Sequence, residues 1–216
     1  MSDATPQLLS HLDRILVVGF APFQGRSRNG SQTLSEALEK NAPRGAVLEA
    51  LVLPVAWGSV EQLLMPKLKA FAPSLVLGLG EGKPGQITLE RAARNARSGV
   101  DECGARAENE WVEMDGPEVI NSRLSYRFQR PKELQFPLVL SEDAGEFLCN
   151  SALYRCLESA VLSVGFVHVP PQELADDAAY LGRLLPFLLS LIEHNRASYR
   201  GAAPVPGSLH SGATGS

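Results

Sequence analysis

Three side chains, a cysteine, a histidine and a glutamate, have the chemistry that nucleophilic catalysis needs. The first, Cys149, lies in the first one or two turns of a helix predicted over 145–160. The partial positive charge at a helix N-terminus favours the thiolate, which is the nucleophilic form of this side chain. A buried structural cysteine is the alternative, because free cysteine is among the most buried residue types.

His168 and Glu90 are candidates for the groups that would serve this nucleophile. His168 closes a strand predicted over 161–169, and an imidazole at the end of a central strand is well placed for proton transfer near neutral pH. Strand alternation places Glu90 on one face of an extended segment, where its carboxylate could orient an imidazole as a third triad member does. Glu81 and Asp101 could compete for that role. A core histidine and a solvated strand face are the alternatives.

The remaining cysteines and histidines are given structural roles. Cys156 lies deep in the same predicted helix and is expected to pack in the core, whereas Cys103 lies in a loop rich in glycine and charge. The three cysteines lie too far apart for a CxxC metal pair, so we expect no structural zinc site. The residues expected at the surface are His11, His194 and His210.

Composition excludes several classes of protein. The chain has 216 residues, 44% hydrophobic and 20% charged, which is ordinary for a globular protein. Its net charge of −4 provides no basic field for a nucleic acid or an anionic membrane. Three cysteines argue against a disulfide framework and predict a reducing, cytoplasmic location. The N-terminal residues lack the pattern of a signal peptide, and the most apolar run, 184–192, is too short to span a bilayer.

Apolar runs and helical patterns alternate along the chain, which predicts an α/β protein with a mostly parallel sheet. The region 96–137 is interpreted as an excursion with short strands, and residues 1–198 as one domain followed by a disordered tail, 199–216. In such sheets functional groups gather beyond the carboxyl ends of strands. Strands are predicted at 15–20, 47–55, 75–80 and 161–169, an extended segment at 87–95, and helices at 31–38, 57–71, 145–160 and 173–198.

Several short motifs, in the same order, resemble those of pyroglutamyl peptidase type I. The chain opens with Gly-Phe-Ala-Pro-Phe at 19–23 and continues with Leu-Pro-Val at 53–55. A central block follows at 87–95, and the most specific matches are the cysteine block at 144–150 and the histidine block at 165–170. The resemblance runs from about residue 14 to residue 171, most of the chain.

This resemblance implies a three-layer α/β/α sandwich and a cysteine peptidase with a triad of Glu90, Cys149 and His168. It implies a peptide or small amide substrate, no cofactor, and a homotetramer or dimer. Backbone N–H groups at the helix start would stabilise the oxyanion. An apolar pocket for the pyroglutamyl ring would be formed by Phe20, Phe23, Phe147 and Leu148, the last where the family usually has valine.

The chain departs from the family pattern around the expected pocket. Glu81 stands where the family usually has a glutamine that helps to bind the lactam; a carboxylate can accept the lactam N–H but cannot donate. Residues 96–100 provide no match for a family arginine, and the interval from Cys149 to His168 is shorter than usual. Two alternatives therefore stay open: a related cysteine amidase with another acyl specificity, and a non-catalytic binding member of the same fold.

Overall fold

The computed structural model describes residues 13–132, 134–172 and 177–200, and six of their strands form one twisted, mostly parallel sheet. The strand order is β2-β1-β3-β8-β4-β7. All neighbouring strands are parallel except β4 and β8, which are antiparallel. The strands are β1 Arg14–Phe20, β2 Val47–Leu53, β3 Leu75–Glu81, β4 Ile87–Glu90, β7 Leu138–Ser141 and β8 Ser163–Val169. A separate hairpin pairs β5 Ala92–Arg94 with β6 Val119–Asn121.

Helices cover both faces of the large sheet. They are α1 Gly30–Lys40, α2 Met65–Phe71, α3 Leu148–Glu158 and α4 Asp177–Arg200, and a π-helical turn, Val60–Leu64, leads into α2. In β1, Leu16 and Val18 pack in a core with α2 and α3, whereas Ile15 and Val17 pack in a second core with α1 and α4. Successive strand residues point to opposite faces, so this continuous apolar run is buried on both sides. The α/β prediction is confirmed, with three layers.

Two predicted helix starts are displaced, each for a local reason. The predicted cap of α1 was Ser31, but Asn29 caps the helix and accepts the Ser31 N–H at 2.9 Å. The Ser31 hydroxyl is used elsewhere, since it accepts the Phe20 N–H at 3.0 Å. Helix α3 begins at Leu148, three residues later than predicted, because Gly145 has φ +80°, a left-handed conformation that a helix does not contain.

Other differences fall at the ends of elements. The predicted helix over 57–71 is irregular up to Ser59, where Asp101 holds the Trp57 N–H at 3.0 Å. The extended segment 87–95 divides after Glu90, because its first half joins the large sheet and its second half pairs with β6. The strands predicted at 47–55 and 161–169 are shorter, Val47–Leu53 and Ser163–Val169.

Some expectations cannot be compared with the structure. Residues 1–12, 173–176 and 201–216 lie outside the described residues, and with them His11, His210 and nearly all of the predicted tail. His194 is partly buried instead of exposed, with its Nε2 atom 3.2 Å from the Ser125 hydroxyl. None of the described helices combines the length and the apolar character that crossing a bilayer requires.

Candidate active site

Cys149 is the second residue of α3 and is partly buried. Its neighbour Phe147 occupies the N-cap position with extended backbone. The first N–H groups of a helix have no intrahelical acceptor, so they face the space in front of Cys149. Gly80, at the end of β3, allows this approach, since a Cβ there would lie 2.8 Å from the Cys149 sulfur and 3.0 Å from His168 Cδ2.

His168 lies between a sulfur and a carboxylate. Its Nδ1 atom is 2.7 Å from Glu90 Oε1, and its side chain is also hydrogen-bonded to that of Cys149. The antiparallel pairing of β4 with β8 sets Glu90 opposite Phe166, two residues before the histidine. Side chains two residues apart share a face of a sheet, so the carboxylate meets the imidazole. The described contacts therefore form a chain from sulfur to imidazole to carboxylate.

The electrostatic surroundings favour an imidazolium at His168. Burial by itself lowers the pKa of an imidazole, but the hydrogen bonds and negative charges of Cys149 and Glu90 outweigh it and raise the His168 pKa to about 10. The Glu90 side chain is 2% exposed, so solvent screens its charge little. At neutral pH the arrangement accordingly favours a cationic histidine beside the sulfur.

Neither competing carboxylate contacts the histidine in this arrangement. Asp101 accepts backbone N–H groups from Trp57, Cys103 and Ala105, at 3.0, 2.9 and 2.8 Å. The hydrogen bond from Trp57, with those from the other two, holds the pKa of Asp101 below its usual value. Glu81 is ion-paired with Arg26. Both carboxylates order the loops around the site, and Glu90 is the one that faces His168.

A cavity of about 210 Å³ opens beside Cys149 and His168. All five residues predicted for the substrate pocket line it: Phe20, Phe23, Glu81, Phe147 and Leu148. Further lining residues that sequence reasoning did not single out are Asn29, Val55, Ala144, Gly145 and Glu146. A larger cavity of about 470 Å³, around Arg91 and Tyr126, contains none of the three candidate catalytic groups.

The wall beside Phe147 is formed by segments far away in the chain. The Trp57 ring meets the Phe147 ring edge to face, with centroids 5.0 Å apart. Ser98 N–H donates to the Glu146 carbonyl at 2.8 Å, which brings the divergent segment after Asn95 against the cavity loop. Arg97 does not line the cavity, because its guanidinium donates to the Val112 carbonyl.

Asn150 is a positioning residue that the sequence analysis missed. Its side chain is fully buried and accepts the Arg94 N–H at 2.8 Å. The same amide donates to the carbonyls of Arg94 at 2.8 Å and Ala96 at 3.0 Å. These bonds attach the residue after Cys149 to the β5 segment. Its place directly after the cysteine was the available signal, but its partners lie more than fifty residues away.

Replacing Asn150 by alanine should destabilise the protein. One N–H and two carbonyl groups would lose their partners in a buried place, which costs about 2–4 kcal/mol. Urea unfolding should show this as a lower midpoint with an unchanged slope. The matched control is Ser151→Ala, because the Ser151 hydroxyl is equally buried but has no hydrogen-bond partner among the described residues. Equal effects of the two substitutions would contradict the role given to Asn150.

No group of three histidine, cysteine, aspartate or glutamate side chains within the described ranges could hold a metal ion.

Comparisons with known proteins identify the family. The family model for pyroglutamyl peptidase matches residues 13–186. The pyrrolidone-carboxylate peptidase of Streptomyces coelicolor is 33% identical over 181 residues, 78% of this chain and 83% of that protein. Human pyroglutamyl-peptidase 1 is 30% identical over 178 residues, 79% of this chain and 85% of that protein.

A solved structure shows the same fold. The pyrrolidone carboxyl peptidase from Thermococcus litoralis superposes with a TM-score of 0.76, covering 90% of this chain and 100% of that one, at 23% identity. At this identity the likeness concerns the fold alone, and the family assignment rests on the sequence matches. Because the family model spans most of the chain, this protein belongs to the pyroglutamyl peptidase family of cysteine-type hydrolases.

Proposed function

We propose that this protein removes an N-terminal pyroglutamyl residue from peptides, with Cys149, His168 and Glu90 as its catalytic residues. The observation that carries the proposal is the continuous contact from the Cys149 sulfur through His168 to Glu90, at the mouth of the cavity. Nucleophile, proton carrier and orienting carboxylate are the three parts of a triad.

The shape and chemistry of the cavity support a small neutral acyl group. Phe20, Phe23, Phe147 and Leu148 give it an apolar lining. Its volume of about 210 Å³ lies below the roughly 300–1,000 Å³ typical of sites for drug-sized ligands. A five-membered lactam carries no ammonium charge and has little surface to desolvate, so it fits such a cavity better than a free N-terminal residue would.

In the proposed mechanism the Cys149 thiolate attacks the carbonyl carbon of the bond that follows the pyroglutamyl residue. The negative charge that develops on the carbonyl oxygen is met by backbone N–H groups at the start of α3. The imidazolium of His168 then gives its proton to the leaving nitrogen, the C–N bond breaks, and a thioester remains. Water hydrolyses the thioester after giving a proton to His168, while Glu90 keeps Nδ1 hydrogen-bonded throughout.

The test is the hydrolysis of a pyroglutamyl amide by the purified, reduced protein. We expect release of the fluorophore from pyroglutamyl-7-amido-4-methylcoumarin, and loss of that activity after alkylation with iodoacetamide. Failure to turn over any pyroglutamyl amide, by protein shown to be folded by circular dichroism, would sink the proposal.

A cysteine amidase with another acyl preference is the second candidate function. It is favoured by the charged pair of Arg26 and Glu81 beside the cavity and by the absence of Arg97 from its lining. A panel of N-acyl amides distinguishes the two candidates, because preference for an acyl group other than pyroglutamyl would support the amidase. Stoichiometric alkylation of Cys149 at pH 6–7 would argue against a merely binding protein, since an inert thiol does not react.

Location, assembly and domain organisation are further proposals. We propose a cytoplasmic protein, because all three cysteines are free thiols, which persist in a reducing compartment. We also propose a homotetramer or dimer, on the strength of the family resemblance, which sedimentation equilibrium tests. The single domain over 1–198 with a disordered tail stays a prediction, which limited proteolysis tests.

A further inference from the structure

An ion pair stands at the wall of the acyl cavity, on the residue where the family usually has a neutral amide. The Arg26 Nη2 atom is 2.5 Å from Glu81 Oε2. The Glu81 side chain is 3% exposed and lines the cavity, whereas the Arg26 side chain is 36% exposed. A buried carboxylate therefore faces the substrate space, and an arginine reaches it from the solvent side.

The position of the Glu81 carboxylate is fixed by its other contacts. Its Oε1 atom accepts the Gly30 N–H at 2.5 Å and the Gln172 N–H at 3.2 Å. The Oε2 atom pairs with the arginine, yet within the described part of the chain no donor points at it in hydrogen-bond geometry. Glu81 can therefore still accept one hydrogen bond from a ligand in the cavity.

Arg26 is held in place by a second contact. Its guanidinium lies over the ring of Phe23, 4.4 Å from the centroid, and Phe23 also lines the cavity. The other arginine of this loop, Arg28, is turned away and pairs with Asp177. Of these two loop arginines, Arg26 is accordingly the one placed to compensate the charge of Glu81.

We propose that Arg26 is a specificity-determining residue: by cancelling the charge of Glu81, it makes the cavity select a neutral lactam over a cationic amine. The inference rests on the proposed function. Without the arginine, the carboxylate would attract an N-terminal ammonium, because a buried charge acts strongly on a nearby opposite charge. With the arginine in place that attraction is cancelled, while Glu81 Oε2 still accepts the lactam N–H.

The experiment compares two substrates with the same five-membered ring. Pyroglutamyl and prolyl amides of 7-amino-4-methylcoumarin differ at the lactam carbonyl and in charge, because a free α-amino group is cationic below about pH 8. The quantity measured at pH 6.5 is the ratio of kcat/KM for the pyroglutamyl amide to kcat/KM for the prolyl amide. We expect Arg26→Gln to lower this ratio at least about tenfold, the effect of one uncompensated and partly screened charge.

Three further variants make the test specific. Arg26→Lys keeps the charge and should retain most of the wild-type ratio. Arg28→Gln removes the neighbouring arginine and should leave the ratio unchanged. Glu81→Gln leaves Arg26 uncompensated, so it should move the ratio in the opposite direction or leave it unchanged, and the double substitution of Arg26 and Glu81 by glutamine should bring it back towards the wild-type value.

The outcomes separate this inference from the proposed function. Wild-type protein that cleaves no pyroglutamyl amide overturns the proposed function, and this inference with it. Wild-type protein that cleaves the amide, with the same ratio in Arg26→Gln and Arg28→Gln, overturns the inference alone. If Arg26→Gln does not fold, Glu81→Gln decides, because a tenfold fall of the ratio in that variant contradicts charge compensation.

Discussion

Replacing Cys149 by alanine is expected to abolish hydrolysis of pyroglutamyl amides, with kcat/KM lowered by at least about a thousandfold. The sulfur is the nucleophile of the proposed mechanism, and its neighbours His168 and Glu90 cannot form the thioester themselves. The folded state should survive, because Cys149 is only partly buried and an alanine fits the first turn of α3. Initial rates, with circular dichroism to show folding, measure the effect.

The chain contains its own control for this experiment. Cys156 lies one turn from the end of the same helix, is 3% exposed, and has its thiol pKa raised to about 12 by burial. Cys156→Ala should therefore keep the activity and its inhibition by iodoacetamide, while lowering the free energy of unfolding by about 1–2 kcal/mol. Full activity of Cys149→Ala, or loss of activity in Cys156→Ala without unfolding, would assign the nucleophile elsewhere.

Replacing Glu90 by glutamine should lower kcat/KM by about 10²–10⁴-fold and change its pH dependence. The negative charges around His168 raise its pKa to about 10, so the imidazolium of the wild-type protein persists into alkaline solution. Glutamine can still approach Nδ1 but carries no charge. The His168 pKa therefore falls, the imidazolium is lost at a lower pH, and the alkaline limb of the kcat/KM profile moves downward.

A profile between pH 5 and 11 measures this shift. Glu142→Gln is a suitable control, since this exposed carboxylate pairs with Arg91, the residue after Glu90, and has no contact with the histidine among the described interactions. Its alkaline limb should coincide with that of the wild type. An alkaline limb that stays in place in Glu90→Gln, whatever the loss of rate, would show that Glu90 does not set the charge state of His168.

The central strands and the helix order were predictable because they depend on local pattern. Apolar runs such as 15–20 and 75–80 are buried on both faces, and such runs form the interior strands of a parallel sheet. The ends of elements were predicted less well. The start of α3 depends on the left-handed Gly145, and the division of 87–95 depends on which strand each half pairs with.

The loop region after Asn95 could not be predicted, because its contacts are long-range. Asn95 accepts the backbone N–H groups of Val112 and Glu113, at 2.8 and 2.9 Å, and Asn150 holds the backbone at Arg94. Polar side chains that bind distant backbone leave no periodic signal in the sequence. The wall of the cavity is built from such contacts, so its composition became visible only in the structure.

The sequence by itself determined the fold class, the family, and a cysteine and a histidine at the ends of a helix and a strand. It could not decide among Glu81, Glu90 and Asp101, because all three are acidic residues in or near loops. The tertiary structure decided this through the antiparallel register of β4 and β8, which sets the Glu90 carboxylate against the imidazole. The same folding brings Arg26 to Glu81, 55 positions away in the chain. Short motifs report local geometry, whereas the partner of a charge depends on which segments the sheet brings together.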